Sequence, residues 1–72
     1  MNNKQYFYTI TRNGKFLNSN IEKEDTDNIA EAIRFDDEKK VLKYWNSSVM
    51  QQVRTIFDMK IMEVECIIRE YI

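Results

Sequence analysis

The C-terminal segment 59–72 alternates in a way that predicts a β-strand with apolar side chains on both faces. Residues two apart point to the same side of a strand, so the apolar positions divide into two sets. One set comprises Met62, Val64, Cys66 and Ile68, and the other comprises Ile61, Ile67 and Tyr71. A small sheet that is covered on one face leaves the second set exposed unless a partner covers it.

Residues 5–18 predict a β-hairpin. The run 5–12 is rich in aromatic and β-branched side chains, and Asn13-Gly14 then favours a type I′ turn because both residues tolerate positive φ. A two-residue loop sets the register and places Thr11 opposite Phe16. One face of the hairpin then carries Tyr8, Ile10 and Leu17, and the other carries Phe7, Thr9, Thr11 and Phe16.

The segment 37–57 has the period of an amphipathic helix. Asp36 is a suitable N-cap residue, and acidic residues follow it where the helix dipole favours them. Apolar residues recur at steps of three and four, at Val41, Leu42, Trp45, Val49, Val53, Ile56 and Phe57. This pattern predicts one long helix, with a kink or a break expected only at 46–48.

The connection between the hairpin and the helix has two parts. Residues 18–27 are polar and acidic and predict a solvated loop, because their carboxylates lack the spacing of a calcium-binding loop. Residues 29–35 fit either a short helical turn or a short edge strand, and the second alternative would give the sheet a fourth strand.

These elements predict a single α+β domain over residues 1–72. A small antiparallel sheet of three or four strands packs against one long amphipathic helix. The helix is expected to cover the face that carries Tyr8, Ile10, Leu17, Met62, Val64, Cys66 and Ile68. The other face is the predicted partner-binding surface, formed by Phe7, Phe16, Ile61, Ile67 and Tyr71.

A chain of 72 residues forms only a small hydrophobic core. Small domains are often stabilised further by disulfides, a metal ion or oligomerisation, and the composition argues against the first two. Cys66 is the only cysteine and there is no histidine, which argues against an internal disulfide and a structural zinc site. No cofactor is expected. Association, with itself or with another protein, remains as the way to complete the core.

The composition also argues against an enzyme. Histidine, the usual base at neutral pH, is missing, and Gly14 is the only glycine, so no phosphate-binding loop exists. Glu63 and Glu65 share a strand face, as paired carboxylates could, but charges that flank an apolar strand are typical of a solvated face. We therefore expect no catalytic residues and no metal site.

The alternative of a small nucleic-acid-associated regulator rests on the aromatic hairpin. Such rings can stack on bases, and basic residues near them could contact phosphates. The aromatic residues are Tyr6, Phe7, Tyr8 and Phe16, and the basic ones are Arg12, Lys15 and Arg69. The net charge of −1 argues against this alternative, so a protein partner is favoured.

No apolar stretch reaches the ~20 residues that span a bilayer, and the N-terminal residues lack an apolar signal region. We expect a protein of the cytosol. Its partner is expected to be another protein or a second copy in a structural homodimer. The opposing interpretation is that the sheet curls, or that residues 29–35 fold back and cover the second face.

Three short stretches carry a resemblance to a group of phage proteins. They are Tyr6-x-Tyr8-x-Ile10, the run 13–17 (Asn-Gly-Lys-Phe-Leu) and the run 32–38, which enters the predicted helix. The chain resembles small accessory proteins encoded by bacteriophages and prophages of low-GC Gram-positive bacteria. The resemblance implies an early or accessory gene product in the host-cell cytosol, with a host protein as its partner. Some such proteins are inhibitors that block host machinery, including anti-CRISPR and other anti-defence proteins. It assigns no functional residue.

Overall fold

The N-terminal strand β1 (Asn2–Arg12) lies at the centre of a three-stranded antiparallel sheet. The computed structural model describes residues 2–69, with side chains over residues 4–67. Along the chain follow β2 (Lys15–Phe16), a 3₁₀ helix (Ile29–Glu31), α1 (Glu38–Trp45), α2 (Ser48–Val53) and β3 (Met59–Arg69). The strand order is β2-β1-β3, and the α+β class predicted from the sequence is confirmed.

The predicted hairpin is confirmed together with its register. Thr11 pairs with Phe16, and the turn residues Asn13 and Gly14 both have positive φ, at 51° and 84°. The turn is also held from outside. The Asn13 N–H donates to the carbonyl of Asp58 (2.8 Å), and the Asp58 N–H donates to Asn13 Oδ1 (3.1 Å). The hairpin tip is therefore fixed to the start of β3.

The segment that follows the hairpin pairs with the sheet on the β2 side. Phe16 exchanges two backbone hydrogen bonds of 2.9 Å with Thr26, and Tyr8 does the same with Phe35. Residues 29–35 thus combine both predicted alternatives, because the 3₁₀ helix is followed by an extended segment that bridges to β1. These bridges are isolated, so the described sheet keeps three strands.

Two helices stand where one long helix, kinked or broken at 46–48, was predicted, because α1 ends at Trp45 and α2 spans Ser48–Val53. The break falls within 46–48, where the sequence allowed it. Ser47 Oγ accepts a hydrogen bond from the Met50 N–H (3.4 Å) and caps the second helix. A short polar side chain at such a position offers the backbone an alternative to the helical bond. The first helix is capped by Asp37, one residue after the predicted cap.

The main hydrophobic cluster lies on one face of the sheet. Ile10 of β1, Val41 of α1 and Met50 of α2 form a cluster in which no member exceeds 4% exposure. Partly buried side chains surround this cluster, namely Tyr8, Leu17, Phe35, Trp45, Met59 and Ile61. Both helices therefore contribute their buried residues to the same face, which we call the helix-side face.

The register of β3 overturns the predicted division of its side chains. Ile10 lies opposite Ile61 and Thr9 lies opposite Met62. Directly opposed residues of an antiparallel pair share a face, so Ile61 and Ile67 lie on the helix-side face. Met62, Val64 and Cys66, which were expected there, lie with Phe7 on the second face. The predicted grouping is therefore wrong by one residue along β3.

The acidic loop is anchored to the sheet by one ion pair. Arg12 donates two hydrogen bonds to Asp25, from Nε at 2.8 Å and from Nη2 at 2.7 Å. The Arg12 guanidinium also stacks on Phe57, 5.2 Å from the ring centre. Hydrogen bonding to Arg12 holds the pKa of the Asp25 carboxyl below its ordinary value of 3.8. The pair therefore favours the charged form of Asp25 in the folded protein.

We expect Asp25→Asn to lower the free energy of unfolding by about 1 kcal/mol near neutral pH, as is typical of a bidentate pair that is partly screened by solvent. The contribution of a carboxyl with a lowered folded-state pKa is complete above 3.8 and is lost as the pH falls through that lowered pKa. Urea unfolding from pH 7 to pH 2 should show the gap between wild type and variant closing in acid. Asp27→Asn is the control, because Asp27 meets Lys15 only at 3.9 Å and is exposed. An equal loss in both variants would contradict the prediction.

Candidate binding surfaces

The structure separates the five residues of the predicted partner-binding surface. Phe7 and Phe16 lie on the second face of the sheet, as expected. Ile61 packs against the core cluster on the helix-side face. Ile67 is on that same face, opposite Lys4, and is 58% exposed. Tyr71 lies outside the described residues. Of the other four, Phe7 is buried, Phe16 and Ile61 are half-buried, and Ile67 is exposed.

The ring of Phe7 is covered by Arg34. The guanidinium carbon of Arg34 lies 3.9 Å from the ring centre, and Phe7 is only 6% exposed. This cation–π contact closes the second face from the side of the extended segment 32–35. The Thr9 hydroxyl donates to the Ile33 carbonyl and holds that segment in place. In the sequence, Arg34 stands out as a charged residue between two apolar ones.

The second face is consequently a narrower apolar strip than the sequence predicted. Thr9 and Thr11 at its centre are buried, with exposures of 0% and 8%. The same face carries the apolar side chains of Phe16, Met62, Val64 and Cys66, of which Met62 is the most exposed at 41%. Within residues 4–67, neither helix places a buried residue on this strip.

A groove of about 380 Å³ opens on the helix side, between the acidic loop and α2. Its apolar lining comes from the residue after β2, the acidic loop, the extended segment, α2 and β3, and comprises Leu17, Ile21, Ile33, Val49, Met50, Val53 and Met59. Its polar lining includes Arg12, Lys23, Asp25 and Tyr44. We call this feature the helix-side groove. Its mixture of an apolar interior and a few polar groups is typical of binding sites.

Two aliphatic side chains on the groove are open to solvent. Ile21 of the acidic loop is 97% exposed and Val49 of α2 is 68% exposed. Full burial of such a side chain in a complex would contribute about 1.5–3 kcal/mol. Ile21 is not among the predicted site residues, although an isoleucine within an otherwise polar loop is a signal that the sequence contains. Val49 is one of the periodic apolar residues of the predicted helix, and it is exposed in α2.

The charges around Tyr8 are predominantly negative. Burial raises the pKa of the Tyr8 phenol, and the carboxylates of Glu63, Glu38 and Asp37 raise it further. Glu63 comes from β3, whereas the other two belong to the start of α1. The phenol of Tyr8 therefore lies in the field of three carboxylates.

Over residues 2–69, no group of three or more cysteine, aspartate or glutamate side chains could hold a metal ion. Cys66 is a half-buried free thiol on the second face. Within the same range, no helix is long and apolar enough to cross a membrane.

Comparison with known proteins gives no relative. The chain matches no protein-family model, and no curated protein or solved structure matches it. The surfaces themselves are therefore the basis for a functional proposal.

Proposed function

We propose that the protein is a non-enzymatic protein-binding module, and that it acts as a phage-encoded inhibitor that binds a host defence protein stoichiometrically. The observation that carries this proposal is the pair of open aliphatic side chains, Ile21 and Val49, on the helix-side groove. The resemblance to phage accessory proteins supplies the class of target. Such an inhibitor needs a surface and no catalytic group.

The groove suits the insertion of an apolar side chain from the partner. Interface energy is concentrated where a buried anchor fills a pocket. The loop that carries Ile21 is tied down by the Arg12–Asp25 ion pair, so less conformational entropy is lost when a partner binds it. Lys23 and Tyr44 provide polar contacts on the same lining. These features support a contact that excludes water around Ile21.

The alternative of nucleic-acid binding loses part of its support. Base stacking requires open aromatic rings, and Phe7 lies under Arg34. Glu63 and Glu65 on β3 would repel a phosphate backbone. The homodimer alternative keeps the same surfaces and differs only in the occupant, so the oligomeric state in solution distinguishes it.

We expect Ile21→Glu to abolish capture of the target while the protein stays folded, because the side chain is 97% exposed. The experiment is an affinity pull-down from a nuclease-treated lysate of a low-GC Gram-positive host. Ile56→Glu is the matched control, since Ile56 is 72% exposed and does not line the groove. Phe16→Glu tests the apolar strip of the second face in parallel, and circular dichroism checks each fold.

A single host protein that binds wild type and Ile56→Glu with 1:1 stoichiometry, and not Ile21→Glu, would support the proposal. Capture that is lost with Phe16→Glu alone would move the site to the second face. Recovery of the bait only, with a dimer in solution, would favour the homodimer. Partners that are captured only from a lysate without nuclease treatment would favour the nucleic-acid regulator.

A further inference from the structure

The described sheet has one edge that is paired with other backbone segments and one edge that is open. The edge on the β2 side is closed, because Thr26 pairs with Phe16 of β2 and Phe35 pairs with Tyr8 of β1. The edge formed by β3 has no neighbouring strand over the whole of Met59–Arg69. Its register with β1 is continuous and without a bulge, and the chain contains no proline. Two common devices that block an open edge are therefore missing from β3.

The backbone groups on this edge can be identified from the pairing of β1. Tyr8 exchanges both of its backbone hydrogen bonds with Phe35, so the even-numbered residues of β1 point away from β3. The odd-numbered residues of β1 then bond to β3, where they meet even-numbered residues such as Met62. The odd-numbered residues of β3 consequently direct their N–H and C=O groups outward. Within the described chain these groups have no backbone partner.

The side chains of those outward residues form an ordered pattern. Ile61, Glu63, Glu65 and Ile67 share the helix-side face, so two acidic positions lie between two apolar ones at strand spacing. Glu65 meets Lys4 at 3.5 Å, and both side chains remain well exposed. Glu63 lies directly opposite Tyr8 of β1 and is exposed.

We propose that β3 binds an extended, basic segment of a partner protein by strand addition, with lysine or arginine at two alternate positions and apolar residues flanking them. The free N–H and C=O groups of β3 would form the ladder, and cross-strand pairs with Glu63 and Glu65 would select the charge. This inference goes beyond the helix-side groove and does not depend on it.

A second copy of the chain fits this edge less well. In an antiparallel pair of β3 strands related by a two-fold axis, the registers with the longest overlap are centred on Glu63, Val64 or Glu65. Each of them places a glutamate directly opposite another glutamate, which is destabilising. Self-pairing without that clash shortens the overlap. The edge therefore favours an opposite-charge partner over itself.

The test uses synthetic peptides with the full-length protein, followed by NMR of the backbone amides. The probe is acetyl-Val-Thr-Lys-Thr-Lys-Thr-Val-amide, and its matched control carries glutamate in place of both lysines. A third peptide keeps the lysines and is N-methylated at alternate residues, so it cannot form the backbone ladder. We expect shifts at the amides of Ile61, Glu63, Glu65 and Ile67, and about tenfold weaker binding of the acidic peptide.

The protein variant Glu63→Lys/Glu65→Lys should reverse this preference, because both positions are exposed and the change leaves the edge backbone intact. Ile21→Glu should leave peptide binding unchanged, which separates this result from the fate of the groove. Equal binding of the basic and acidic peptides, or undiminished binding of the N-methylated peptide, would overturn the inference. So would a complete lack of binding, or a dimer in solution that the peptides cannot dissociate.

Discussion

Ile10→Ala is expected to lower the free energy of unfolding by about 3–4 kcal/mol, within the range of about 2–5 kcal/mol found for truncating a buried aliphatic side chain. Ile10 is 0% exposed and lies between Val41, Met50 and, across the sheet, Ile61. Truncation of this side chain leaves a cavity between β1 and the two helices. A domain of 72 residues has a total stability of about 4–11 kcal/mol, so this one change removes a large share of it.

Thermal unfolding followed by circular dichroism should show a Tm lower by about 15–25 °C. Ile21→Ala is a matched control, since it makes the same chemical change at a residue that is 97% exposed. That variant should stay within about 0.5 kcal/mol of wild type. Similar losses in the two variants would mean that Ile10 is not at the centre of the core.

Thr9→Val is expected to cost about 2 kcal/mol although it preserves the shape of the side chain. Thr9 is 0% exposed, and its hydroxyl donates to the carbonyl of Ile33. Valine fills the same volume but has no hydroxyl to donate. The Ile33 carbonyl then stays shielded from water without a hydrogen bond, which costs free energy. The segment that carries Arg34 across Phe7 would be held less firmly.

Urea unfolding measures the loss, and hydrogen exchange locates it. The amides of Tyr8 and Phe35, which form the bridge beside Thr9, should exchange faster in the variant. Thr55→Val is the control, because the Thr55 hydroxyl makes the same kind of bond to the Gln52 carbonyl at an exposed site. Its effect should be small. A neutral Thr9→Val would show that the Ile33 carbonyl finds another donor and that the segment is held by its backbone bonds.

The candidate surfaces show how far sequence patterns reach towards function. The alternation of β3 correctly indicated apolar groups on both faces of the strand, and Ile67 is one of the exposed residues. The groove was not predictable, because it depends on how the acidic loop and α2 meet in space. The same holds for the cover on Phe7, which comes from a residue distant in the sequence, Arg34.

The sequence by itself determined the elements whose geometry is local. Asn13-Gly14 specified the turn and, through it, the pairing of Thr11 with Phe16. The start of β3 at Met59 also followed from the pattern. In each case the determining contacts lie within a few residues, so backbone preference and side-chain period are sufficient.

Only the tertiary structure decided which face of the sheet each side chain of β3 occupies. It places Ile61 rather than Met62 against the core. No tight turn connects β1 to β3, and a shift of one residue exchanges the two faces of a strand. Both faces of β3 are apolar, so hydrophobicity alone could not choose between them. The choice came from packing, since the helices, the loop and the hairpin tip at Asn13 must all fit the same register.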